Sequence, residues 1–288
     1  DDFAVSSPEM VLAAIASRTS RIHLGSAVTV LSSDDPVRVF ERFSILNALS
    51  NGRAEVILGR GSFTESFPLF GFDLADYNKL FEEKIELFAE LLKENPVTWS
   101  GTTRAALVEQ SVFPPSESGS IPTWVGVGGS PESVVRAAHY GLPLMLAIIG
   151  GDPLRFAPYV DLYKRALTQF ERAELPIAAH SPGHIAATNE QAADELWPHF
   201  RANHDRIGAE RGWPAMGRDE FDREIAEGAI YAGSPQTVAT KIVRAVQGLG
   251  LARFDLKYAT GTMPHEQLMN SIGLYGREVI PLVREQLA

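Results

Sequence analysis

Two short segments place glycines beside side chains that can bind an anion. The first is Gly126 to Ser133, which runs from a strand pattern through Gly128 and Gly129 into a helix, with hydroxyl groups at Ser130 and Ser133. The first turn of a helix offers free N–H groups and a partial positive charge, and glycine lets a ligand approach the backbone. The segment predicts a phosphate-binding turn. The alternative is a well-capped helix without a ligand.

The same Ser-Pro start of a helix occurs twice more and provides internal comparisons. Ser7-Pro8 and Ser234-Pro235 lack the double glycine that precedes Ser130. Serine caps helices and proline favours their first position, so these two copies predict caps only. The copy at Ser130 is not a dinucleotide-binding GxGxxG motif, because Pro131 occupies the position of the last glycine. It is not a Walker loop either, because no Gly-Lys-[Ser/Thr] follows.

The second anion-binding candidate is the tetrapeptide Gly59-Arg60-Gly61-Ser62, which follows a strand pattern. In parallel α/β proteins the carboxyl ends of the strands face the ligand. Arginine can bind a phosphate through two parallel hydrogen bonds. We therefore expect Arg60 to contact an anionic group, and an exposed turn arginine is the alternative interpretation.

The histidines do not form a recognisable catalytic or metal-binding motif. His180 and His184 are four residues apart, but Pro182-Gly183 between them prevents a helical pair of metal ligands. The chain contains neither an HExxH motif nor a GxSxG nucleophile turn. Two interpretations stay open for each histidine: it has a structural role, or it lines a pocket. The sequence assigns no metal site and no catalytic residue.

Composition excludes several classes of protein. The 288 residues carry 26 Lys and Arg against 36 Asp and Glu, a net charge of -10, whereas nucleic-acid binders are usually basic. The absence of cysteine rules out disulfides, thiolate zinc sites and cysteine nucleophiles. No apolar run reaches the roughly 18 residues that span a bilayer, and no signal-peptide pattern is present. We expect a cytoplasmic protein without nucleic-acid or membrane partners.

Strand and helix patterns alternate along the chain, which predicts an α/β fold with a parallel sheet. Six strands are predicted, at Ile22–Val30, Ala54–Leu58, Thr123–Val127, Leu144–Ile149, Ile177–Ala187 and Phe254–Tyr258. Helices are predicted at Pro8–Ser17, Pro36–Leu49, Tyr77–Leu92, Pro131–Tyr140, Leu154–Phe170, Glu190–Gly212, Pro235–Leu249 and His265–Leu287, the last bent at Pro281. Residues 94–120 predict a long loop within a single domain, 1–288. Six strands suit an open doubly wound sheet, whereas a (β/α)₈ barrel needs eight.

Together the motifs resemble the bacterial luciferase-like flavin-dependent monooxygenases. The resemblance extends across essentially the whole chain, and the ordered set is more specific than any one segment. The residues that carry it are Leu24 to Val28, Gly52 to Gly61, Trp124 to Ser133, Gly141 to Pro143 and Gly233 to Val238.

The resemblance implies a (β/α)₈ barrel that binds FMN or, in some branches, the deazaflavin F420. Arg60, the Gly61-Ser62 backbone, the Gly128-Gly129 turn, Ser130 and Ser133 are expected to meet the cofactor phosphate. Ala27-Val28 corresponds to a non-proline cis peptide beneath the flavin ring. Asn78 stands where the luciferases have a second phosphate-binding arginine, which suggests weaker retention of the flavin.

The resemblance also implies that two strands precede the strand at Ile22, and that the second ends in the catalytic histidine segment. We therefore expect the chain from Asp1 to lack the first two strands and that histidine. The expected activity is monooxygenation of a small organic substrate with O₂ and reduced FMN from a separate flavin reductase, in a homodimer. Hydride transfer with F420 is one alternative. A noncatalytic flavin-binding or partner subunit is another.

Overall fold

The computed structural model describes residues 5–61 and 65–288. Its described residues form two compact units, one of 5–127 with 136–144 and the other of 128–135 with 145–288. Each unit contains parallel strands connected to helices, which confirms the predicted α/β class. The complete eight-stranded barrel stays a prediction.

The first unit is built around three parallel strands. Its strands are β1 (Leu24–Val30), β2 (Ala54–Gly59), β3 (Val97–Trp99), β4 (Leu107–Gln110) and β5 (Thr123–Val127). Its helices are α1 (Pro8–Ala16), α2 (Pro36–Leu49), α3 (Ser66–Leu69) and α4 (Tyr77–Leu91). Leu24 of β1 lies opposite Ala54 of β2, and Val56 of β2 lies opposite Thr123 of β5. Every residue of β2 is buried, as expected for a strand with neighbours on both edges and helices nearby.

Local signals explain the ends of α2. The side chain of Asp35 accepts hydrogen bonds from the amides of Val37 (2.9 Å) and Arg38 (3.4 Å), so it caps the first turn. The helix ends before Asn51 and Gly52, which have φ angles of 54° and 80°. Ser7 occupies the N-cap position of α1, as predicted, but its side chain makes no capping hydrogen bond. Pro8 stands at the first position of α1, where proline is favoured.

The segment predicted as a long loop, 94–120, contains a short hairpin. Strands β3 and β4 pair antiparallel, with Val97 opposite Gln110 and Trp99 opposite Leu107. The Phe113–Pro114 peptide bond that follows is cis. Strands of three and four residues are too short to show an alternating pattern, and the prolines of this segment conceal them further.

Two elements have residues in both units: α5 (Pro131–His139) and β6 (Leu144–Ala147). The other strands of the second unit are β7 (Ile177–Ile185), β8 (Tyr231–Gly233) and β9 (Arg253–Lys257). Its other helices are α6 (Ala157–Gln169), α7 (Asn189–Arg211), α8 (Arg218–Ala226), α9 (Pro235–Leu249), α10 (His265–Leu274) and α11 (Ile280–Leu287).

Besides β6, strand β7 has two parallel partners along its length. Residues Ala178 to Pro182 pair with β9, and residues Gly183 to Ile185 pair with β8. Strand β8 was missed by the sequence analysis because it has only three residues. In a plain barrel each strand pairs with the next one in sequence, whereas β9 pairs here with β7.

Other boundaries differ from the prediction by small amounts that have local causes. A 3₁₀ turn (Pro153–Phe156) precedes α6, so the predicted continuous helix from Leu154 has two parts. The C-terminal helix changes to a π-helical segment (Tyr275–Val279) just before Pro281, where a bend was predicted. Ser234 caps α9, and Gly250 ends it with a φ of 62°. Among the described residues, no helix is both long and apolar enough to cross a membrane.

Candidate functional site

The peptide bond between Ala27 and Val28 in β1 is cis, as the family resemblance predicts. Strand pairing with β2 shifts register at this point, between Ala27 and Thr29. The buried hydroxyls of Ser26 and Thr29 lie 2.6 Å apart and hydrogen-bond across the cis bond. Val28 itself is 39% exposed, so an apolar side chain reaches the surface in the middle of a strand.

Glycines on two neighbouring strands make room for Val28. A Cβ atom at Gly59 would lie 2.7 Å from Cγ2 of Val28, and one at Gly126 would lie 2.9 Å from Cγ1. Both distances are shorter than real Cβ contacts, so alanine at either position would displace the valine. The sequence pattern identifies these glycines only as parts of ligand-binding turns. Their contact with Val28 was invisible because it joins three strands.

Arg60 is held by the first turn of α4. Its guanidinium donates a hydrogen bond of 3.0 Å to Oδ1 of Asn78, and lies 5.3 Å from the ring centre of Tyr77. The hydroxyl of Tyr77 donates a 2.6 Å hydrogen bond to the carbonyl of Gly61, whose φ of 79° suits glycine. The predicted phosphate ligand therefore has a defined position rather than the freedom of an ordinary turn arginine. Ser62, the next predicted ligand, lies outside the described residues.

The turn before α5 has an open backbone. A Cβ atom at Gly128 would meet nothing within 4 Å, so a ligand can reach this part of the chain. Gly129 has a φ of 120°, which side chains with a Cβ rarely adopt, and its carbonyl accepts a 2.8 Å hydrogen bond from the hydroxyl of Tyr159. Tyr159 was not identified from the sequence, because it lies on α6, some thirty residues later.

The two serines of this turn differ in accessibility. Oγ of Ser130 accepts a 3.3 Å hydrogen bond from the amide of Ser133, so it caps α5. The same hydroxyl donates a 2.7 Å hydrogen bond to a carboxylate oxygen of Glu132. Ser133 is buried, with 3% of its surface exposed. The capped helix and the open turn occur together, and phosphate binding by Ser130 and Ser133 stays a prediction.

The paired histidines of β7 have different surroundings. His184 is fully buried, and its Nε2 lies 2.7 Å from a carboxylate oxygen of Glu195. His180 is half-buried and lies opposite Asp255 of β9 in the strand register. Burial lowers the pKa of His180, and nearby Lys257 lowers it further, whereas Asp255 acts in the opposite direction. In the described part of the chain no group of three His, Asp or Glu side chains is arranged to hold a metal.

The described residues form parallel α/β units, with a cis peptide in one strand and an open glycine turn at the start of a helix. Residues 1–253 match the family model for luciferase-like monooxygenases. The chain belongs to this family, and the resemblance found in the sequence is confirmed.

Two relatives agree with this assignment. The chain is 28% identical over 237 residues to 4-hydroxyprotoasukamycin monooxygenase of Streptomyces nodosus subsp. asukaensis, covering 77% of this chain and 62% of that protein. It is 28% identical over 189 residues to N-acetyl-S-alkylcysteine monooxygenase of Bacillus subtilis, covering 65% and 52%. The matched segments therefore span less than two thirds of these relatives' own lengths.

Three solved structures share the fold. A monooxygenase from Streptomyces bottropensis has a TM-score of 0.82 and 23% identity, and covers 96% of this chain and 82% of its own. The oxygenating constituent of 3,6-diketocamphane monooxygenase from Pseudomonas putida, in complex with FMN, has a TM-score of 0.74 at 18% identity, covering 96% and 84%. An F420-dependent secondary alcohol dehydrogenase, with an F420–acetone adduct, has 0.76 at 15%, covering 97% and 84%.

Proposed function

We propose that this protein is a flavin-dependent monooxygenase that uses reduced FMN and O₂ to oxygenate a small organic substrate. Membership of the luciferase-like monooxygenase family, over residues 1–253, is the observation that carries the proposal. When bound, reduced flavin would provide the reactivity toward O₂. The protein would bind the flavin, orient it and exclude water. The (β/α)₈ barrel inferred from the resemblance belongs to the same proposal.

The residues present fit a flavin. Val28 offers an exposed apolar side chain beside the cis peptide, where a flat ring system can pack. Arg60 offers a positioned guanidinium for the phosphate. The open backbone at Gly128 leaves space that a Cβ atom would occupy. We further propose that Ala27, Gly61, Ser62, Gly129, Ser130 and Ser133 complete the cofactor contacts.

Binding of reduced FMN under anaerobic conditions tests the proposal directly. We expect binding in the micromolar range, weakened about tenfold by Gly128→Ala, because the new methyl group blocks the approach of the phosphate. The fold should tolerate this change, since the Cβ would meet nothing within 4 Å. Gly276→Ala, which also meets nothing within 4 Å, is the matched control. Absence of binding at high micromolar concentration, in a folded protein, would reject the proposal.

Hydride transfer with F420 is a second candidate, favoured by the likeness to the F420-dependent alcohol dehydrogenase. The two candidates differ in their need for oxygen. A monooxygenase consumes O₂ with each turnover, whereas an F420 enzyme works without it. Measuring turnover of test substrates with either cofactor, with and without O₂, separates them. Turnover with F420 but not with FMN would replace the first proposal.

We also propose that the protein works as a homodimer and receives reduced flavin from a separate reductase. The outer faces of α1 and α2 in the first unit carry exposed apolar side chains that a second copy would cover. They are Met10 (73% exposed), Val11 (46%), Ile45 (49%) and Leu49 (59%). Ile45→Glu should convert a dimer to monomers in sedimentation experiments, and a wild-type monomer would remove this part of the proposal. The cytoplasmic location stays a prediction.

A further inference from the structure

One face of β9 carries charged side chains, although the opposite face packs in the core. Phe254 and Leu256 pack against the core cluster around Tyr231 and Val279. Because successive residues of a strand point to opposite faces, the residues between and beside them face away from that core. The side chains on this charged face are Arg253, Asp255 and Lys257.

His180 joins this face from the neighbouring strand. In the parallel pairing of β7 and β9, His180 lies opposite Asp255 and Pro182 lies opposite Lys257. Paired residues of adjacent strands point to the same face, so the imidazole is a neighbour of both charged groups. The apolar residues of β6, on the other side of β7, add no charge.

The charges on this face leave a net positive charge at Lys257. Arg253 and Asp255 are joined by an ion pair of 2.7 Å, so they largely neutralise each other. Lys257, the last residue of β9, forms no ion pair with any carboxylate in residues 5–61 and 65–288. Desolvation of its ammonium group lowers the pKa of Lys257.

We propose that Lys257 and His180 bind the carboxylate of a small organic acid, which is the substrate class of this enzyme. This inference names the substrate of the proposed function and rests on it. The lysine supplies the charge, and the neutral imidazole supplies a hydrogen bond to the second oxygen. A monoanion fits better than a phosphate dianion, because the Arg253–Asp255 ion pair leaves this face with one net positive charge, at Lys257.

Calorimetric titration of the flavin-free protein with sodium benzoate at low salt tests this inference. We expect a millimolar dissociation constant for the wild type and a loss of about tenfold or more for Lys257→Met. Lys257→Arg should keep most of the affinity, because it keeps the charge. Lys164→Met, which removes an exposed lysine from α6, is the control and should leave binding unchanged. Sodium phosphate should bind more weakly than benzoate.

The pKa of His180, measured by NMR, gives a second test. It responds to the charge of Lys257, whereas a purely structural role of Lys257 would not predict the same change. The charged groups near His180 are Asp255 and Lys257, and Asp255 also lies near Tyr275. Lys257→Met should raise the pKa of His180, whereas Asp255→Asn should lower it. Benzoate should shift the imidazole signals of the wild type but not those of Lys257→Met.

Three results would overturn the inference. They are no benzoate binding by the wild type up to about 50 mM, equal binding by Lys257→Met, or stronger binding of phosphate than of benzoate. Because benzoate and FMN are titrated separately, the two proposals fail independently. Loss of FMN binding with benzoate binding intact rejects the proposed function, and the reverse result rejects only the carboxylate site.

Discussion

The guanidinium of Arg60 donates a 3.0 Å hydrogen bond to the side-chain oxygen of Asn78, eighteen residues later. This contact changes the interpretation of Asn78. The sequence suggested that Asn78 replaces a phosphate-binding arginine and weakens flavin retention. In the structure it holds the remaining arginine in place, together with the ring of Tyr77, 5.3 Å away. One oriented cation with a neutral partner can provide part of the phosphate binding that two cations would provide.

Arg60 should be needed for tight binding of FMN. Arg60→Ala should weaken FMN binding about tenfold to a hundredfold, because a hydrogen bond to a charged group contributes about 1.5–3 kcal/mol. Fluorescence titration with FMN measures the change. Arg38→Ala, which removes a 72%-exposed arginine from α2, is the control and should have little effect. Unchanged affinity in Arg60→Ala would remove this residue from the cofactor site.

Asn78 should act through Arg60 only. Asn78→Ala should cost about two- to tenfold in FMN affinity, because it removes one hydrogen bond that positions Arg60 but leaves the charge of Arg60 in place. In the Arg60→Ala background the same change should cost nothing, because its partner is gone. A double-mutant cycle measures this coupling. Additive losses would show that Asn78 contacts the cofactor independently of Arg60.

Glu132 should oppose phosphate binding. Its carboxylate accepts a hydrogen bond from Oγ of Ser130, so a negative charge lies next to the predicted phosphate position. Glu132→Gln should raise the affinity for FMN severalfold at low salt and by less at high salt, since screening weakens the repulsion. Titration at two salt concentrations checks this. Riboflavin has no phosphate, and its affinity should not change. A loss of FMN affinity would contradict the prediction.

Arg53 should be a structural residue of the first unit. It is 9% exposed and donates hydrogen bonds to the carbonyls of Ala16, Thr19, Ile22 and Ser50 and to the hydroxyl of Thr19. Arg53→Ala should lower the free energy of unfolding by about 3–5 kcal/mol, because it leaves buried acceptors without donors. Urea unfolding measures the loss, and Arg38→Ala again serves as the surface control. A change below about 1 kcal/mol would contradict it.

Lys84 should make stability rise with pH in the alkaline range. It is 3% exposed, donates a 2.7 Å hydrogen bond to the carbonyl of Ser32, and lies 4.2 Å from the ring centre of Phe72. Burial lowers its pKa from 10.5 to about 8, partly offset by Asp35 and Asp34. Between these two pH values the unfolded chain binds more protons than the folded one, so the folded state gains stability as pH rises.

Lys84→Met should remove part of this dependence. The wild type should show rising stability between about pH 8 and pH 10.5 in urea unfolding. The variant should keep the slope from Lys241 and Lys257, because burial lowers the pKa of Lys241 to about 8 and also lowers that of Lys257. Lys164→Met should keep the full slope of the wild type. An identical pH profile in Lys84→Met and wild type would show that this lysine titrates normally.

Local patterns were sufficient to predict the α/β class, the bounds of α2 and α9, and the two glycine turns. These features depend on residues that are near one another in sequence: Asp35 and Pro36 begin α2, and Ser234 and Gly250 enclose α9. The cis peptide at Ala27-Val28 was expected from the family resemblance, which compares whole motifs rather than single residues.

Only the tertiary structure decided what these residues contact. Strand β8 and the hairpin of β3 and β4 are too short to show a period, so their neighbours define them. The pairing of Arg60 with Asn78, the space that Gly126 leaves for Val28, and the position of His180 opposite Asp255 all join residues far apart in the chain. The sequence determined which groups are available for chemistry. The packing of strands and helices determined which of them meet.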